Sequence, residues 1–311
     1  MPSIWYFGTP GFAVPPLQAL LEHGEKVSLV VTQPDRPAGR REELKAPEVK
    51  QFALAHALPV FQPERVRAPE AISRFQAEAE KDWPELAVVT AFGQIIPKTL
   101  LAIPRRGFWN IHASLLPRLR GASPIQGAIL EGMGETGVTI MQMDEGLDTG
   151  DILLTRTCPI GPDETAGELH DRLAPLGAEA LIAALDLARQ GRLTPRKQDD
   201  SLSTHAPKLD RASGQIDWSH PARRIVDQIR ALNPWPSAQT TLEQERIKIH
   251  RAQAVPGSGA AGTIISYEPL VVASGEGAVE ILELQREGKK PLGAHDFVRG
   301  LRLKPGARFG R

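Results

Sequence analysis

Residues 4–32 read IWYFGTPGFAVPPLQALLEHGEKVSLVVT, and their pattern decides the fold class. Ile4-Trp5-Tyr6-Phe7 is a short apolar run ending at Gly8, with Pro10 and Gly11 close behind. Such a run reads as a buried strand entering a turn. Over 13–23, Val14, Leu17, Leu20 and Leu21 recur at helical spacing, and Gly24 ends the helix. Val27 to Thr32 follows as a β-branched strand. A strand–helix–strand unit of this kind calls for a right-handed parallel crossover.

The same alternation continues outward. Residues 46–56 read as a helix, Pro59-Val60-Phe61 as a short strand and 69–80 as a further helix. Leu86 to Ala91 (LAVVTA) has almost no polar side chain, as expected of a strand buried on both faces. Residues 1–190 are therefore expected to form a doubly wound, mostly parallel, Rossmann-like α/β domain. Residues 191–206, with Arg192, Arg196, Lys197 and the polar run Gln198-Asp199-Asp200-Ser201, read as a linker. From 207 to 311 come short segments: Gln215–Trp218, Ile247–Ala252, Gly262–Ile265, Leu270–Ala273 and Val279–Leu284, broken by Gly257, Gly259, Gly275 and Gly277. That punctuation predicts a small β-barrel, OB-like in scale.

The chain of 311 residues is 41% hydrophobic and 24% charged, the composition of a folded protein. The first residues, Met1-Pro2-Ser3-Ile4-Trp5, lack the basic-then-apolar pattern of a secretory signal, and no apolar run is long enough to span a bilayer. A cytoplasmic monomer without membrane contact is expected. One cysteine, Cys158, excludes an internal disulfide and a multi-cysteine metal site. Lysines and arginines number 37, aspartates and glutamates 37, so the formal charge is zero. The zero hides a split: residues 1–205 hold 21 basic and 26 acidic side chains, residues 206–311 hold 16 and 11. A basic β module fits a nucleic-acid footprint, although a solvated basic surface would look the same.

The densest chemistry lies at 107–151. Asn110-Ile111-His112 ends the apolar run from Phe108, and side chains two apart on a strand share one side. An amide there can donate to a developing oxyanion while the imidazole moves protons near neutral pH. Asp144, Asp148 and Asp151 lie in one Gly-containing loop, and any of them could orient the imidazole or simply make a turn. Other motifs are weaker. Gly8-Thr9-Pro10-Gly11 lacks the Gly-x-Gly-x-x-Gly fingerprint, which argues against a nicotinamide cofactor, and no Walker loop, Gly-x-Ser-x-Gly elbow or His-x-x-x-His pair occurs. His170 and Cys158 read as packing residues.

Residues 110–126 (NIHASLLPRLRGASPIQ) and 136–152 (TGVTIMQMDEGLDTGDI) together resemble the 10-formyltetrahydrofolate-dependent formyltransferases. The resemblance implies a catalytic trio of Asn110, His112 and Asp148. It implies a folate site around Ser114, Leu115, Leu116 and Pro117, with Ile95 and Ile96 as further apolar lining. It implies 10-formyltetrahydrofolate as donor substrate and no metal. Phe7-Gly-Thr-Pro10, Thr32–Arg40 (TQPDRPAGR), Ile216-Asp-Trp218 and Asn233-Pro-Trp-Pro236 are similar to the branch that formylates methionyl initiator tRNA in translation initiation. Nearly the whole chain is covered. The tRNA contacts this implies are Arg36, Arg40 and Arg41 in the first domain and Lys289, Lys290, Arg302 and Lys304 in the basic one. Arg41-Glu42-Glu43 stands where many members carry Gly-Lys-Lys, a departure that should weaken phosphate attraction beside Arg40. Gly11 and Ala113 also replace a common Asp and Gly without removing a catalytic group. The rivals are a sugar-nucleotide N-formyltransferase using the same trio and a folate- or RNA-binding protein without turnover.

Overall fold

The computed structural model describes residues 2–38, 43–300 and 306–310. The chain forms two compact units, each assembled from more than one segment. The first is Met1–Gly121 with Gly137–Cys158 and His170–His205; the second is Ala122–Thr136, Pro159–Leu169 and Ala206–Arg311.

The opening stretch folds as its pattern predicts: β1 (Ser3–Gly8), α1 (Val14–Glu22) and β2 (Lys26–Val31). Pro15 and Pro16 in the first turn of α1 cost little, because N–H groups there have no helical partner anyway. Gly8 is required by crowding: a Cβ there would lie 2.7 Å from that of Ala13 and 3.2 Å from the Thr90 carbonyl. A hairpin follows, β3 (Arg36–Ala38) with β4 (Glu43–Lys45), then α2 (Glu48–Ala55) and β5 (Val60–Phe61). Next come α3 (Pro69–Lys81), β6 (Pro84–Thr90), α4 (Lys98–Leu101) and β7 (Phe108–His112).

After β7 the chain adds β8 (Arg120–Gly121), α5 (Pro124–Leu130), β9 (Glu135–Gln142), β10 (Ile152–Pro159), α6 (Ala166–Arg189) and β11 (His205–Ala206). The seven-stranded sheet has the order β10-β9-β7-β6-β1-β2-β5. β1 is parallel to β2 and β6, and β6 to β7, while β9 runs antiparallel to β7. Chain order reverses at β1, whose two neighbours lead to opposite sides of the sheet. Ligands in open α/β sheets bind outside the carboxyl ends of strands at such a switch. Phe7 anchors the core, its ring 5.8 Å from that of Phe75, 5.4 Å from Phe92 and 5.2 Å from Phe108.

The second unit contains α7 (Ala222–Ala231), β12 (Ala238–Leu242), β13 (Glu245–Val255), β14 (Ile264–Tyr267), β15 (Leu270–Ala273), β16 (Ala278–Arg286), β17 (Leu292–Gly293) and α8 (Ala294–Gly300). Its antiparallel sheet runs β12-β13-β16-β15-β14, with β17 beside β16. The expected barrel is not a closed ladder. Edge strands β12 and β14 do not pair; isolated bridges join Leu242 to Phe309 and Thr263 to Arg308. Gln215–Trp218 is not a strand either. Only Gln215 makes a bridge, to Gln239, and Trp218 turns its ring into the core, stacked on Phe309 and donating to the Thr240 hydroxyl at 3.0 Å. Helix α7 was hidden in the sequence by its three arginines, yet Ala222, Ile225, Val226 and Ile229 make one buried stripe. Buried Arg230 is paired with Asp227 at 2.8 Å and also donates to the carbonyls of Gly161 and Glu164.

No helix among the described residues is long and apolar enough to cross a membrane.

Candidate active site

β7 carries Asn110 at its middle and His112 at its carboxyl end, on one side of the strand. His112 is buried, and both ring nitrogens face acceptors. Nε2 lies 3.0 Å from the Leu119 carbonyl oxygen, and Nδ1 lies 3.7 Å from Asp148 Oδ2. The first is a hydrogen-bond distance and the second an ion-pair distance. The Asn110 side chain is half-buried and makes no hydrogen bond within the described residues, which leaves its amide available to a ligand.

The geometry separates the three acids of the loop. Asp144 is spent on a turn, accepting from Gly146 N–H and the Thr149 hydroxyl. Asp151 uses its carbonyl to pair with Gln142 N–H. Asp148 alone brings its carboxylate to His112, and the same Oδ2 accepts the Gly121 N–H at 2.8 Å. Gly150 must be glycine because a Cβ would collide with the Gln142 carbonyl. Asp148 and Leu119 both have left-handed backbones, φ 54° and 60°. For residues other than glycine that conformation costs about 1–2 kcal/mol. Two of the seven non-glycine residues with positive φ among the described residues are thus the ones that face the imidazole.

The Ser114–Pro117 segment is pinned rather than free. The Ser114 hydroxyl donates to Arg118 O at 2.7 Å, its carbonyl accepts from the Thr139 hydroxyl, and Leu116 N–H donates to the Thr139 hydroxyl oxygen. Leu116 packs with Met141 and Ile152, and Ile96 belongs to the core under β1 and β6. Leu115 and Pro117 are half-buried, whereas Ile95 is 83% exposed. Lys98 and Glu145, paired at 2.7 Å, fasten the outer end of the Asp148 loop; the carboxylate raises the ammonium above its usual value.

Sequence reasoning missed a set of polar ties at the carboxyl ends of β1, β2 and β6. Thr9 Oγ1 donates to Phe92 O, Gln33 Nε2 donates to the same carbonyl, and Gln94 reaches Gln33 Oε1 at 3.3 Å. Their one available signal was position: each follows directly on an apolar run. In the adjoining hairpin, Arg36 is paired with Glu64 at 2.7 Å. Asp35 is held below the usual carboxylate range, chiefly by the Gln62 amide and then by Lys50. Arg40 and Arg41 lie outside the described residues, as do Arg302 and Lys304. Lys289 and Lys290 are exposed just after β16 and form no ion pair within the described residues. Cys158 is buried and accepts from Arg172, and His170 packs against Phe12.

A doubly wound sheet bearing this cluster at a strand end, followed by a small antiparallel domain, matches one family along the chain. The sequence model described as Formyl transferase matches residues 4–185, and that described as Formyl transferase, C-terminal domain, matches 208–302. The chain belongs to the formyl transferase family. Among its relatives, the methionyl-tRNA formyltransferase of Citrifermentans bemidjiense is 50% identical over 99% of this chain and 96% of its own. That of Geobacter metallireducens is 49% identical over 99% and 98%. In fold, the chain is similar to HypX from Aquifex aeolicus crystallised with tetrahydrofolic acid. The TM-score is 0.65 at 17% identity, over 98% of this chain and 49% of that longer one.

Proposed function

We propose that the protein transfers the formyl group of 10-formyltetrahydrofolate to the amino group of methionyl initiator tRNA. The observation that carries this reading is the approach of the Asp148 carboxylate to His112, on the side of β7 that Asn110 shares. Full-length relatives named for that reaction support the choice of acceptor.

The aminoacyl nitrogen attacks the formyl carbon, and a C–N bond forms as the carbonyl oxygen becomes an oxyanion. The unengaged Asn110 amide is the donor for that charge; one such donor is worth roughly 10²–10³ in rate. Collapse of the adduct breaks the bond to the folate nitrogen. A proton leaves the attacking amine and one reaches the departing nitrogen. His112, held by Asp148 and Leu119 O, is the group that moves it, a role worth roughly 10²–10⁴. The folate ring would lie against the apolar wall of Leu115, Leu116, Pro117, Ile95 and Ile96, with Ser114 shaping the loop.

In this reading residues 1–190 are the catalytic domain, 191–206 the linker and 207–311 the tRNA-binding domain. Arg36, Arg40, Arg41, Lys289, Lys290, Arg302 and Lys304 would meet phosphates. The protein would act as a monomer in the cytoplasm. The test is direct: 10-formyltetrahydrofolate is supplied with either methionyl initiator tRNA or an amino-sugar nucleotide, and formyl incorporation is followed. Transfer to the tRNA is expected. Transfer only to the sugar would overturn the assignment, and transfer to neither would leave a binding protein.

A further inference from the structure

Residues 198–204, within the stretch whose composition reads as a linker, reach both contacts of His112. Gln198 holds the Asp148 side. Its Nε2 donates to the carbonyls of Asp148 and Gly150, at 2.8 and 2.7 Å, so both amide hydrogens brace the turn that carries the carboxylate. Its Oε1 accepts from Arg120 Nε and Nη2, at 3.1 and 2.8 Å. Arg120 directly precedes Gly121, whose N–H holds Asp148 Oδ2. One side chain thus joins the backbone bearing the acid to the backbone bearing its donor. A guanidinium can only donate and a carbonyl can only accept, so the orientation of this amide is settled by its partners.

Thr204 holds the other nitrogen. Its hydroxyl accepts Leu119 N–H at 2.9 Å and its carbonyl accepts Arg120 N–H at 2.9 Å. Leu119 is the residue whose carbonyl meets His112 Nε2. Asp200 closes the segment with an ion pair to Arg120 at 2.7 Å. Both left-handed residues beside the imidazole are therefore tied to this one segment, and all the residues named lie in the first compact unit.

We infer that residues 198–204 are a clasp for the His112 site, with Gln198 and Thr204 as positioning residues acting through Asp148 and Leu119. The inference rests on the formyl-transfer reading. It adds that the segment leaving the catalytic fold sets the geometry of the chemistry. A misplacement of about 1 Å in such a group costs up to roughly 100-fold in rate.

The experiment compares Gln198→Glu, Thr204→Val and Thr204→Ser in the full-length protein with 10-formyltetrahydrofolate and methionyl initiator tRNA. Gln198→Glu keeps the Arg120 contacts and loses both donors to the loop. Thr204→Val loses the acceptor for Leu119, and Thr204→Ser keeps it. We expect kcat to fall roughly 10- to 100-fold in Gln198→Glu and in Thr204→Val, with KM for either substrate little changed. Thr204→Ser should retain wild-type turnover. In an Asp148→Asn background, single-turnover rates should show no further loss from Gln198→Glu, because both changes act on one group. Should Gln198→Glu fail to fold, the Val–Ser contrast at 204 still decides. Full additivity with Asp148→Asn, a loss confined to KM, or equal rates for Val and Ser would overturn the clasp. An inactive wild-type protein overturns the formyl-transfer reading and this inference with it; an active one with unaffected variants overturns the clasp alone.

Discussion

β6 buries six of its seven residues, and β1 all six, whereas β12 alternates strictly between buried and half-exposed positions. The first pattern belongs to a sheet covered on both faces, the second to a sheet with one wet face. The difference governs where function can sit. In the covered sheet a polar side chain in mid-strand would be desolvated, so functional groups collect at strand ends. His112 ends β7 and Thr9 follows β1, Gln94 lies in the loop beyond β6, and Asn110, at the middle of β7, stands at the one position of that strand that is not buried. In the one-faced sheet, polar side chains such as Lys248 and Arg251 can stand along a strand without cost to the core. The first arrangement suits chemistry at a point, the second contact over an area.

The largest expected effect tests the strand-end half of that contrast. His112→Ala, Asp148→Ala and Asn110→Ala should each lower turnover by roughly 10²–10⁴ while leaving tRNA binding intact, as read by single-turnover formylation and filter binding. Loss of folding instead would mean the trio is structural. Next comes the core. Phe7→Ala should cost about 3–5 kcal/mol in urea unfolding, because it leaves a hole among three rings. Leu282→Ser, at a 42%-exposed position on β16, should stay within about 0.5 kcal/mol. Equal losses would dissolve the distinction between the two sheets.

A smaller effect concerns the second domain. Lys289→Glu with Lys290→Glu should weaken tRNA binding at low salt and flatten the logarithmic salt dependence by about 2, with kcat on saturating tRNA unchanged. An unaltered slope would remove these two lysines from the interface. The smallest involves Glu168, whose carboxyl is lowered to about 2, first by the Thr165 backbone N–H, then by Arg251 and the Thr165 hydroxyl. Its folded value is depressed, so its stabilisation is present above the unfolded value of about 4.5 and is lost as pH falls toward 2. Glu168→Gln should therefore flatten the loss of stability across that acid window. Because the side chain is half-exposed, the effect should be modest.

The charge asymmetry shows where reading by segment reaches its limit. Residues 206–311 carry a net +5, yet the compact unit they form also recruits 122–136 and 159–169, with Glu131, Glu135, Asp163, Glu164 and Glu168. Counted by unit, each half of the molecule is neutral: 21 basic and 21 acidic side chains in the first, 16 and 16 in the second. One recruited acid, Glu168, is paired with Arg251 at 2.7 Å. In the tRNA reading proposed above, attraction would then depend on local groups rather than on the charge of a domain, and Lys289 and Lys290 are the ones the double variant tests.

The sequence by itself determined the covered parallel sheet, because continuous apolar runs alternating with helical periods have few other ways to leave water. It also determined that Asn110 and His112 share a side, since strand periodicity requires it. Helix α7 was less legible, its buried stripe being interleaved with arginines. The residues of the loop left the acid open and the family resemblance pointed to Asp148; only the tertiary structure decided how that carboxylate and the Leu119 carbonyl are held, with Gln198 and Thr204 reaching both. Those decisions rest on backbone groups: the Gly121 N–H, 27 residues from Asp148, and the Leu119 N–H, 85 residues from Thr204. Every residue carries a carbonyl and nearly every residue an N–H, so nothing in the order of side chains marks which of them will be used.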